Sequence, residues 1–112
     1  MSKPASRAYS RYSRDAVVLL GQMIRLERIS RKLTIAELAE RAGVSRGLIQ
    51  RIEHGDPGCA IGVVFEVATI VGIKLFGADQ TTLTSSIVSH QRTLTLLPSS
   101  SRPSQKAIKD DF

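Results

Sequence analysis

The chain has 112 residues, a formal net charge of +6 and a pI near 10.1, the size of one small domain with a limited core and a balance that suits a polyanionic partner. Its only cysteine, Cys59, excludes an intramolecular disulfide, and His54 and His90 do not make a ligand set at zinc spacing, so neither a metal nor a cofactor is expected. No paired carboxylates, glycine-rich phosphate loop or Ser-His-Asp arrangement points to an enzyme. No apolar run reaches the ~18 residues of a membrane span, and no signal-peptide core is evident, which leaves a cytoplasmic protein with no membrane partner as the expectation.

Residues 1–14, MSKPASRAYSRYSR, carry Lys3, Arg7, Arg11 and Arg14 with no acid among them. They read as a basic, flexible arm. Such an arm either lies along phosphates or in a minor groove, with Arg11 and Arg14 as contacts, or is a solvated tail. Ser13 or Asp15 can cap a first helix running to about Arg31, with Val17, Leu20, Met23 and Ile24 as its buried stripe and Arg25, Arg28, Arg31 and Lys32 toward its C-terminal end, where cations suit the helix dipole.

Residues 33–55, LTIAELAERAGVSRGLIQRIEHG, read as two short helices folded against each other. Thr34 and Glu37 have the spacing of a capping box, and Leu33 and Leu38 that of a hydrophobic staple. Gly43 most cheaply takes the left-handed conformation that stops a helix, and Ser45 is a good N-cap for the next. Ala39, Val44, Ile49 and Ile52 supply a small crossing and an apolar wedge. This is helix-turn-helix spacing, in which the second helix enters the DNA major groove. With Ile49 and Ile52 facing inward, Arg46, Gly47, Gln50 and Arg51 face outward; arginine can bond guanine O6 and N7 with both arms, and glutamine adenine N6 and N7.

Gly55-Asp56-Pro57-Gly58 ends that helix, and residues from Ile61 to Gly72 suit a fourth, apolar nearly all round and therefore buried on more than one face. Val64, Phe65 and Ala68 can close the core, leaving Val63, Val67 and Ile70, continued by Leu75 and Phe76, as a dimer surface. Beyond Gly77 the composition turns to serine and threonine, yet Leu83, Ile87 and Leu94 keep a helical stripe, so residues 79–96 are predicted as a fifth helix. Residues 93–97 could instead pair as a strand across a dimer. The tail, residues 98–112, has too little apolar surface to offset its ordering entropy. The organisation expected is all-α: an arm over 1–14, a five-helix phage-repressor-like arrangement whose DNA-binding domain spans 15–77, a dimerising segment over 78–97, and a disordered tail.

Residues 33–55 resemble the helix-turn-helix of phage Cro and repressor-like transcriptional regulators (the XRE family), and the resemblance extends over roughly residues 19–77. It implies that Arg28 pairs with Glu53, locking the first helix to the third. It also implies that Arg46, Gly47 and Arg51 stand where side chains contact bases and Ser45 where a hydroxyl contacts phosphate; Thr34 is counted with the DNA-contacting residues. Two positions depart from the pattern. Gly47 has no side chain, and Ile35 stands where many relatives have a glutamine that contacts phosphate or the outer base. The loop GDPG before an apolar helix, the Leu-Phe-Gly step at 75–77, and Leu-Leu-Pro followed by a polar tail ending Asp-Asp-Phe resemble the HipB-type antitoxins. That resemblance implies a homodimer that represses its own operon at an inverted-repeat operator and binds a HipA-type Ser/Thr kinase toxin. The competing expectation is a stand-alone phage or metabolic repressor.

Overall fold

A computed structural model describes residues 8–98, so the expectations for residues 1–7 of the arm and 99–112 of the tail lie outside the described residues. The described chain is helical, with no strand, and falls into two units that meet in sequence after Leu75.

The first unit holds α1 (Arg11–Ser30), α2 (Ile35–Ala42), α3 (Arg46–Glu53) and α4 (Ile61–Ile70). Helix α1 starts earlier than expected because Ser10, not Ser13 or Asp15, is its cap: the Ser10 hydroxyl accepts the Ser13 N–H at 3.2 Å. Arg11 and Arg14 are therefore helical residues, not part of a flexible arm, and Arg11 lies 3.6 Å from Asp15 one turn on. At the other end Lys32 takes the left-handed conformation more often given to glycine (φ 58°), turning the chain toward α2. Helix α2 begins with a complete capping box. The Thr34 hydroxyl accepts the Glu37 N–H at 3.0 Å, and the Glu37 carboxylate accepts the Thr34 N–H at 2.8 Å. Gly43 (φ 71°) closes α2, and the Ser45 hydroxyl accepts the Leu48 N–H at 3.1 Å to open α3.

These turns place eight apolar side chains in one core: Ile24, Leu38, Ala39, Ile49, Ile52, Val67, Ala68 and Val71. Val17 and Leu20 are half-buried, but Met23 is exposed, so it leaves the stripe expected for α1. Val67 corrects the expected dimer surface: it is wholly buried in the core of its own unit. Val63, Ile70 and Leu75 are partly buried and pack against the same core. A helix apolar nearly all round has no wide polar face to fix its rotation, so the sequence does not show that Val67 joins Ala68 in the core.

Helices α1 and α3 touch backbone to backbone at Gly21. A Cβ there would lie against the carbonyl oxygens of Ile52 and Glu53, well inside contact distance, so the carbonyl end of α3 occupies the space of a side chain. Gly21→Ala is accordingly expected to force α1 off α3 and to cost ~1–3 kcal/mol, the usual range for overpacking, despite alanine's better helix propensity. A lower denaturant midpoint checks this; a stabilised variant contradicts the contact.

A single 3-10 turn, Leu75–Gly77, in which Phe76 has φ 57°, spans the boundary, and the second unit, from Phe76, continues into α5 (Gln80–Leu96). The Asp79 carboxylate accepts the Thr82 N–H at 2.8 Å, which caps α5 and holds the Asp79 carboxyl below the ordinary carboxylate range. The helix persists through Thr93–Leu96, so the strand alternative for that segment is not adopted. Thr93 and Thr95 return their hydroxyls to the carbonyls of Ser89 and Gln91, at 3.1 and 2.9 Å, satisfying those groups within the helix. Leu97 is extended, as a residue before proline should be. No residue of α5 is buried.

Candidate nucleic-acid interface

The outer face of α3 is the surface that the fold leaves available. Residues 46, 47, 50 and 51 are exposed while Ile49 and Ile52 are buried beneath them, a division that follows from the 3.6-residue period. Arg46 and Gln50 line a groove with Thr34, Ile35 and Ala36 from the start of α2, and Arg28 lies on its inner side. The Thr34 and Ser45 hydroxyls accept capping hydrogen bonds and each retains an O–H to donate outward, so both helix starts carry donors suited to phosphate.

Beneath this face Arg28 and Glu53 hold α3 in place. Arg28 Nε donates to Glu53 Oε2 at 2.6 Å and Nη2 to Oε1 at 3.0 Å, a two-pronged pair whose side chains are only 10% and 3% exposed. The remaining terminal nitrogen donates to the Leu33 carbonyl at 2.9 Å. One guanidinium thus ties α1 to the end of α3 and to the segment that enters α2. No single-helix pattern shows this third bond, because it closes only when the turn after α1 folds back.

The two departures from the resembled pattern have distinct physical settings. A Cβ on Gly47 would meet nothing nearer than the Ser45 hydroxyl, at 3.9 Å, so packing within the chain does not require glycine there. Ile35 is half-buried and packs on the core, where a glutamine would carry a polar end. Arg11 and Arg14 stand on the exposed first turn of α1.

Arg51 is engaged in a way that the sequence reading missed. Its Nε donates to Asp56 Oδ2 at 2.8 Å, and Asp56 Oδ1 accepts the Gly58 N–H at 2.8 Å. The Arg51 hydrogen bond, then that of Gly58, draws the Asp56 carboxyl below its ordinary range, and the same pair pushes Arg51 still higher. An arginine five residues ahead of an aspartate across a helix end was the available signal. Cys59, next in the loop, is half-buried, and burial raises its thiol above the ordinary value, which keeps it protonated.

Two short helices joined by a turn at Gly43, capped at both starts and presenting arginine and glutamine from the second, form the arrangement of a helix-turn-helix DNA-binding domain. Residues 24–75 match the family described as Helix-turn-helix. No curated protein and no solved structure gave a significant match to the chain. No described helix is long and apolar enough to cross a membrane.

Proposed function

We propose that this protein is a sequence-specific transcriptional repressor that binds an inverted-repeat operator as a homodimer, and that it acts as a HipB-type antitoxin with a HipA-type Ser/Thr kinase as its second partner. The observation that carries the DNA reading is the exposed face of α3, with Arg46, Gln50 and Arg51 above a rigid Arg28–Glu53 anchor, in a chain of net charge +6. Arginine and glutamine read base edges there, while Ser45, Thr34, Arg11 and Arg14 supply phosphate contacts.

The dimer reading is supported by α5. Leu83, Ile87 and Leu94 line one side of a helix in which nothing is buried, and Phe76 stands at its start. A serine- and threonine-rich helix of 17 residues is marginal alone, and a second copy presents the same face under two-fold symmetry. With Val67 in the core, the dimer surface is assigned to α5. The antitoxin reading is supported by the GDPG loop, the Leu-Phe-Gly step and the polar ending, and the stand-alone repressor is its alternative.

Replacing Ile87 and Leu94 together by Asp is expected to convert a dimer to a monomer on sizing and to weaken operator binding, with the thermal unfolding of the first unit retained. A wild-type monomer at micromolar concentration removes the dimer. Co-expression with the neighbouring gene, followed by sizing with and without operator, tests the antitoxin role; recovery of no kinase leaves the stand-alone repressor.

A further inference from the structure

We propose that Asp56 is a specificity-determining residue that acts through Arg51: it holds the guanidinium by Nε, leaving the two terminal nitrogens to read a base edge, and lowers attraction to phosphate in general. The proposal rests on the reading of α3 as the DNA-contacting helix.

The geometry is asymmetric in a telling way. Asp56 cannot follow the arginine, because its main-chain N–H is bonded to the Arg51 carbonyl at 3.0 Å, its Oδ1 to the Gly58 N–H, and Pro57 restricts the backbone beside it. The long, flexible side chain is the one that comes to meet a fixed acceptor. Once there it uses Nε alone, at 2.8 Å; Nη1 and Nη2 have no hydrogen-bond partner among the described residues. Two parallel N–H groups on a held guanidinium are the fork that matches guanine O6 and N7. Arg46, on the same face, has no ion-pair or hydrogen-bond partner among the described residues. Face-mates of identical chemistry therefore differ in one respect, an anchored carboxylate.

Two consequences oppose each other. Holding the arginine before binding reduces the rotamer freedom lost on contact, which favours a base pair that fits the held geometry. A carboxylate kept ionised beside the DNA face repels phosphates of any sequence and weakens binding to all of them. The net effect is discrimination gained at the expense of general affinity, the opposite of what a surface arginine alone contributes.

The test uses the full chain. A preferred duplex is selected from a randomised pool with the wild-type protein, and affinities for it, for its single-base-pair variants and for a random duplex are measured at two salt concentrations. Wild type, Arg51→Ala, Asp56→Asn and the double variant are compared. Asparagine keeps an oxygen for the Gly58 N–H, and thermal unfolding monitors the fold. Arg51→Ala is expected to lose about 5- to 150-fold discrimination at one base pair, the range for a two-armed arginine contact. Asp56→Asn should lose much of the same discrimination at the same base pair while binding the random duplex more tightly; in the Arg51→Ala background it should change discrimination no further and raise affinity for every duplex alike. Retained discrimination in Asp56→Asn, or an equal rise in affinity for every duplex, overturns the proposal and makes Asp56 only a repelling charge. A wild-type protein that binds DNA with no preferred sequence fails at the reading of α3 itself. Without DNA, the Arg51 Nε–H should exchange with solvent more slowly than that of Arg46 by NMR; equal rates overturn the hold even if Asp56→Asn does not fold.

Discussion

Arg28→Ala is expected to destabilise the first unit by ~3–5 kcal/mol, the cost of leaving one member of a buried ion pair without its partner. Glu53 would keep its charge with its side chain 3% exposed, and the Leu33 carbonyl would lose its donor as well. Glu53→Ala should cost a similar amount by stranding the guanidinium. Because each single change removes the same interaction, the double variant should lose less than the sum, and replacing both residues by methionine can approach neutrality. Denaturant unfolding of the four proteins measures the coupling. Additive losses contradict a direct pair.

Ile49→Ala should cost ~2–5 kcal/mol, since the side chain is wholly buried on the inner face of α3 and its removal leaves a cavity in the core of the first unit. Gln50→Ala, one residue along and exposed, should change stability by no more than about 0.5 kcal/mol. The contrast separates the two faces of one short helix: the first variant reports on whether α3 stays in place, the second on what it presents. Equal stabilities for the two would show that α3 does not pack as described.

The helix-turn-helix corner was legible from sequence because its signals are local. Thr34, Glu37, Gly43 and Ser45 each act on backbone groups within four residues, so their chemistry can be read along the chain. Ile49 and Ile52 follow from the helical period once those ends are fixed. The cap at Ser10 is not singled out along the chain because Ser13 and Asp15 offer equivalent chemistry nearby. Gly21 could not be read, because its reason is a carbonyl some thirty residues away and nothing near it in the chain asks for glycine. The burial of Val67 could not be read either, for want of a wide polar face on α4. Arg51 reads from sequence as a groove residue and Asp56 as part of a helix stop, and only the turn of the chain at Gly55 brings them together.

The central claim is that the exposed face of α3 reads DNA sequence, and the direct measurement is the affinity of the full chain for its preferred duplex and for random duplex across a range of salt. The account expects log affinity to fall linearly with log salt for both, with a clear preference for one sequence that Arg46→Ala, Gln50→Ala and Arg51→Ala combined remove while the protein still folds. Binding without salt dependence, or a preference that survives the loss of all three side chains, would contradict it.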